Sequence, residues 1–178
     1  MKGIRIITLL LTLLLISIQY SYAHSNISNQ HLELNKLLQR NIAIFSDAKK
    51  THWFEQGNPK ALHQMYVVAE PNCSACHYLY NTLYPYVAKG EFNVRWILVS
   101  FIKPSSAGKA AAIMFSKNPA LALNSNEANF DEQTETGAIA PLQQLSQEMI
   151  SAIKSNIAFM QKYNFVFLFF ALNYQNLS

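Results

Sequence analysis

A short apolar segment, Met65-Tyr66-Val67-Val68-Ala69, stops at Glu70-Pro71-Asn72 and is followed at once by Cys73-Ser74-Ala75-Cys76. No other feature constrains the fold as strongly. The segment is β-branched at its centre and reads as a buried strand. Beyond the cysteines, Leu79, Leu83, Tyr86 and Val87 recur at i, i+4, i+7 and i+8, which predicts a helix over 74–88. Pro85 lies inside it and is expected to kink it, and Lys89-Gly90 is a fitting stop. Asn93 to Phe101 reads as a second strand. Its unbroken run Trp96–Val99 predicts burial on both faces, as in a parallel sheet. Strand, helix and strand within residues 66–101 make a βαβ unit with a right-handed crossover. The two cysteines of the chain sit at its first strand–helix junction.

Two cysteines spaced C-x-x-C make a poor structural staple, because so short a loop removes little entropy from the unfolded chain. A helix beginning at Cys73 would aim its unpaired N–H groups and the positive end of its dipole at that sulfur. Both favour the thiolate, which is the nucleophile. Cys73 is therefore the expected attacking residue, and Cys76, one turn further in, the resolving one. Asn72, Ser74, Ala75 and His77 frame the pair and are candidate modulators. A C-x-x-C that follows a strand in a βαβ pattern reads as a thioredoxin-like redox motif, which needs neither metal nor dissociable cofactor.

Two other chemistries compete. Cys73-Ser74-Ala75-Cys76-His77 is also the C-x-x-C-H pattern of c-type haem attachment, with His77 as proximal ligand and Met114, Met149 or Met160 as the distal one. Zinc could draw on both cysteines plus His52 or His63, although no second C-x-x-C or H-x-x-x-H is present. The placement of the cysteines inside a βαβ unit favours redox over both.

The rest of the chain supplies context. Lys2 and Arg5, the apolar stretch Ile6–Ile18 and the small-x-small site Ser21-Tyr22-Ala23 form a secretory signal over residues 1–23. The apolar stretch is 13 residues long, short of the roughly 20 a spanning helix needs, so no stable membrane insertion is expected after cleavage. Residues 24–30 are polar and are expected to fray. Leu34, Leu37, Leu38, Ile42 and Phe45 follow helical spacing, and Gly57-Asn58-Pro59 signals a turn. Ala107–Lys117 and a short segment from Asn118-Pro119 read as helices, and the acidic stretch 124–137 as an exposed loop. Leu142, Leu145, Met149, Ile153, Ile157 and Met160 predict a long amphipathic helix over 141–163, and Phe165–Leu172 a buried strand. Tyr78, Tyr80, Tyr84 and Tyr86 are read as packing residues. Apolar residues at 51% and charged residues at 13% exclude disorder. The formal charge of +4 falls to +2 without Lys2 and Arg5, too little for a nucleic-acid footprint.

The stretches Thr51-His52-Trp53-Phe54 and Tyr66 through Cys76 resemble the periplasmic thiol:disulfide interchange proteins of the DsbC/DsbG family, and within it the DsbG type. Pro85, the run Trp96–Phe101 into Ile102-Lys103-Pro104, and the Ala-rich helix ending Ser116-Lys117-Asn118-Pro119 carry the same resemblance, which covers about residues 50–165. It implies an α/β thioredoxin-like domain over 51–178 with a helical insertion at about 104–163, preceded by a helical segment at 24–50. It also implies disulfide exchange with cysteine-bearing periplasmic proteins, and a membrane-bound thiol reductase as electron donor. Two departures are plain. Residues 24–50 are too few for the family's dimerisation domain. The Thr–cis-Pro turn expected after the long helix is replaced by Asn164-Phe165-Val166-Phe167-Leu168, with no proline after Pro141. The expectation is a member with the C-terminal part of the fold missing, its exchange activity impaired, or an inactive remnant.

Overall fold

A computed structural model describes the backbone of residues 2–165. Eight elements follow in order: α1 (Lys2–Ala48), β1 (Trp53–Gly57), β2 (His63–Ala69), α2 (Ser74–Ala88), β3 (Phe92–Leu98), α3 (Ser106–Met114), α4 (Pro119–Ala128) and α5 (Gln147–Lys162). The chain divides into two compact units, Met1–Ala43 and Ile44–Ser178. The first is helical throughout its described length, including residues 24–30, which were expected to fray. The site lies in the second.

The βαβ unit forms as predicted. Strands β2 and β3 pair in parallel, Ala69 opposite Leu98, and α2 connects them. The turn at Gly57-Asn58-Pro59 ends an element not read from the sequence, β1, which pairs antiparallel with the other side of β3. Among the described residues the sheet order is β1-β3-β2. That order explains the apolar run of β3: hydrogen-bonded on both sides, it is also covered on both faces. Val94, Trp96 and Leu98 join Val67 and Ala69 of β2 in a core with Cys76, Tyr80 and Val87 of α2 and Ala110, Ala111 and Ile113 of α3. Ile97 and Val99 face the other way, with Tyr66 and Val68, onto Ile44, Phe45, Ala48 and Phe159. At Gly57 the backbone takes φ +117°, and any side chain there would overlap Phe92 O.

Helix α2 runs through Pro85 and closes on Gly90 at φ +76°. The Glu91 N–H returns to Tyr86 O and the Gly90 N–H to Val87 O, the paired bonds of a Schellman stop. Helix α4 starts where Asn118-Pro119 predicted. The Asn118 side chain caps the Leu121 N–H, and Pro119 occupies a first-turn position that needs no donor. It continues to Ala128, so residues 124–128 are helical rather than loop, and Asn126 and Glu127 are buried. Helix α5 begins later than predicted, at Gln147. Ser146 caps the Met149 N–H, while the Leu142 N–H is committed to Gly108 O. The second predicted strand likewise stops at Leu98, short of Phe101. The predicted strand 165–172 lies outside the described residues apart from Phe165, which is not in a strand.

Candidate active site

Cys73 is itself the N-cap of α2. Its backbone is extended (φ −100°, ψ 113°), and its sulfur accepts the Cys76 N–H at 3.3 Å. The chain leaves strand β2, turns through Glu70-Pro71-Asn72 and enters the helix on a cysteine in the place usually taken by Ser, Thr, Asp or Asn. Both cysteines are free thiols, 7% and 4% exposed. The Cys76 thiol and then the N–H groups of Cys76 and Ala75 hydrogen-bond the Cys73 sulfur. Against burial and the charge of Glu70, they bring it down to about 7. Cys76 moves the opposite way: its thiol is held by hydrogen bonding to Cys73 and by burial, so it stays protonated well above the ordinary thiol range. Two identical side chains one turn apart are thus made chemically unequal.

Glu70, which the sequence reading did not single out, lies directly behind the pair. Its carboxyl is almost fully buried. Oε2 accepts the Asn72 N–H at 2.7 Å, and Oε1 is buried with no hydrogen-bond partner among the described residues. Burial raises its pKa, while the Ser106 hydroxyl, the Asn72 N–H and, after them, the charges of Lys103 and Lys109 pull it back. Both sulfurs feel its charge. The signal available in the sequence was an acid three residues before the first cysteine, at the end of an apolar strand.

Helices α3 and α4 and the loop after α4 brace this turn. Asn72 donates to Ser106 Oγ (3.0 Å) and Ser105 Oγ (3.3 Å) and accepts the Gly137 N–H. Asn126 donates to Pro71 O at 3.0 Å and accepts the Ile139 N–H. Buried Lys109 reaches Gly137 O, and Lys103 holds Thr134 O and Thr136 Oγ1. Gly137 is tied to the spot by space, since a side chain there would overlap Asn126 Oδ1 and Pro71 O. Ser74 donates to Glu135 Oε1 at 2.9 Å, and Ala75 is exposed.

His77 is engaged elsewhere. Asn81 lies 2.9 Å from Nε2 and Glu127 Oε2 lies 2.9 Å from Nδ1. An Asn81 N–H donating to Nε2 leaves the ring proton on Nδ1, directed at Glu127. The ring also stacks on Phe130 at 4.4 Å. A haem-ligating imidazole needs a free nitrogen facing the iron, and thioether cysteines need open flanks. Here both nitrogens are used and both sulfurs are buried, so these residues do not fit a c-type haem. Of the candidate distal ligands, Met114 and Met149 pack in the core that contains the cysteines, and Met160 on the opposite face of the sheet. Zinc fares no better. Among the described residues no three His, Cys, Asp or Glu gather to hold a metal. His63 stacks on Phe92 at the far end of β2 from Cys73, and His52 precedes β1.

The tyrosines of α2 divide. Tyr80 is buried between Tyr84 and Trp96, accepts from Gln56 Nε2 at 3.1 Å, and has its hydroxyl pushed up to about 12 by burial. Tyr84 accepts from Asn124 Nδ2, Tyr86 packs edge-on to Phe92, and Tyr78 is exposed.

No family model matches the chain. Two curated relatives do. Thiol:disulfide interchange protein DsbG of Escherichia coli K12 is 32% identical over 110 residues, 62% of this chain and 44% of the relative. The DsbG protein of Pseudomonas aeruginosa PAO1 is 26% identical over 118 residues, 66% of this chain and 44% of the relative. The chain therefore spans less than half the length of either. Helicobacter pylori DsbG superposes with a TM-score of 0.59 at 17% identity, over 83% of this chain and 68% of that one. The chain is similar to these DsbG proteins and shares the thioredoxin-like fold. The fold is shared more widely: the catalytic domain of Proteus mirabilis ScsC matches with a TM-score of 0.58 at 16% identity, over 75% of this chain and 85% of that domain. A periplasmic thioredoxin-like protein from Salmonella enterica serovar Typhimurium matches at 0.52 and 16% identity, over 68% of this chain and 78% of that one. Among the described residues of this DsbG-like chain, no helix is long and apolar enough to cross a membrane.

Proposed function

We propose that the chain exchanges disulfides with cysteine-bearing proteins of the periplasm, as a thiol:disulfide oxidoreductase or isomerase. The observation that carries this reading is the opposed tuning of Cys73 and Cys76 at the N-cap of α2. The Cys73 thiolate attacks one sulfur of a substrate disulfide, forming a mixed disulfide and releasing the other substrate sulfur as a thiolate. Cys76 then loses its proton and attacks Cys73 Sγ. The Cys73–Cys76 disulfide forms, and the second substrate sulfur leaves and is protonated. Each passage oxidises the chain by two electrons and reduces the substrate by two. Because Cys76 holds its proton tightly, resolution needs a base, and Glu70 is the acid whose charge reaches both sulfurs. Residues 1–23 act as the export signal, and a membrane-bound thiol reductase restores the dithiol.

Alkylation of the reduced chain with iodoacetamide across pH 5–10, with the modified residue located by mass spectrometry, tests this. The expected result is label on Cys73 with a rate midpoint near pH 7. A midpoint at or above the ordinary thiol value of 9.0 would sink the proposal.

A further inference from the structure

We infer that Glu135 is a specificity-determining residue, selecting disulfides flanked by cationic side chains; this rests on the exchange reading above. Residues 131–137 form a strap fastened to the turn before Cys73. Backbone hydrogen bonds run both ways between Asp131 and Thr136, and the Asp131 carboxylate accepts the Gln133 and Thr134 N–H groups. Lys103, Lys109 and Asn72 hold the strap from beneath. This scaffold holds Glu135 in the left-handed region, at φ +48°. Its exposed carboxylate lies 2.9 Å from the hydroxyl of Ser74, the residue next to the attacking sulfur. A substrate disulfide that reaches Cys73 therefore brings its flanking residues past Glu135.

The charges at this mouth are unbalanced. Ser74 is the side-chain partner of Glu135 among the described residues, and a neutral hydroxyl leaves the carboxylate's charge uncompensated. Lys103, whose ammonium binds Thr134 O and Thr136 Oγ1 on either side of Glu135, forms no ion pair with the Glu135 carboxylate among the described residues. Four of the chain's ten acids, Glu127, Asp131, Glu132 and Glu135, fall within nine residues of a protein whose formal charge is +4. Of these four, Glu127 is buried on His77 and Asp131 is bound by its own loop, while the Glu135 carboxylate accepts from Ser74 of the C-x-x-C segment. A Lys or Arg side chain beside a substrate cysteine can take the place of the Ser74 hydroxyl and gain a charge-assisted bond. Acidic flanks meet repulsion instead.

The test uses the full reduced chain in single turnover. It compares two disulfide peptides identical except for Lys or Glu residues beside the cysteines. In low salt the wild type is expected to oxidise faster with the Lys-flanked peptide, and the preference is expected to shrink as salt is added. Glu135→Gln is expected to lose about two- to fivefold of that preference, the range of an exposed charge pair. Glu135→Asp is expected to keep most of it, and Glu148→Gln, exposed on α5, all of it. A Glu135→Gln chain that exchanges with the wild-type preference overturns this inference and leaves the exchange reading standing. No exchange with either peptide overturns both.

Discussion

The sulfur of Cys73 stands where a helix cap requires an acceptor, so folding and reactivity draw on the same geometry. Every helix begins with N–H groups that lack partners inside it. Here one of them is satisfied by a group that can ionise, and ionisation makes it a better acceptor. The consequence is a pH-dependent stability in the reduced chain. The Cys73 value falls from the ordinary 9.0 to about 7 on folding. A lowered value means that the unfolded chain binds more protons between those limits, so stability rises with pH there and is lost as pH falls through 7. Cys76, raised by folding, works in the other direction only above pH 9, where the unfolded thiol ionises and the folded one does not. The reduced chain is therefore expected to gain stability relative to the oxidised chain, on the order of 2 kcal/mol, between pH 7 and 9, and to lose it above. Urea unfolding of both forms at pH 6, 7, 8, 9 and 10 measures this. A difference that stays flat across the series contradicts the tuning assigned to Cys73.

At the scale of elements, the strap and the helices around it turn a short loop into a held one. The turn Glu70-Pro71-Asn72 belongs to no helix or strand, yet the Asn72 side chain and the Pro71 carbonyl are bound by Ser105, Ser106, Asn126 and Gly137. Gly137→Ala tests how closely that packing is drawn. The added methyl group would meet Asn126 Oδ1 and Pro71 O, both in hydrogen bonds. It is expected to cost about 1–3 kcal/mol, the usual range for an overpacked site, and to raise the Cys73 alkylation rate as the strap shifts. Unchanged stability and unchanged alkylation would show the strap to be looser than described. The sequence made the βαβ unit and its cysteines legible because local signals agreed there: a β-branched run, a helical period and a glycine stop. It made the strap illegible. Residues 124–137 look like solvated loop by composition, but Asn126 and Glu127 are buried because each meets partners from segments about 50 residues away. Strand β1 was missed for a related reason. Trp53-Phe54-Glu55-Gln56-Gly57 has no clean alternation. Its Gln56 side chain is buried by bonds to Trp96 and Tyr80 that only the assembled sheet supplies.

At the scale of the molecule, β3 organises the unit from Ile44 onward. It is bonded to β1 on one side and β2 on the other, and its side chains divide between two hydrophobic clusters, one holding the cysteines and one holding Phe159 and the start of the unit. Removing Trp96, fully buried and hydrogen-bonded to Gln56, would open both a cavity and an unpaired amide. The turn before Cys73, by contrast, depends on side-chain bonds to Ser105, Ser106 and Asn126 and on the Gly137 N–H. Two levels of stability therefore coexist: a sheet that opens only with the whole unit, and a strap that can open alone. Native-state hydrogen exchange is expected to resolve them. Amides of Val94–Leu98 are expected to be the slowest, matching the free energy of global unfolding. Those of Gln133–Thr136, where Gln133 and Thr134 are held only by the Asp131 side chain and Thr136 by Asp131 O within the same exposed loop, are expected to exchange orders of magnitude faster. Equal protection in the two segments would mean that the strap is part of the global folding unit.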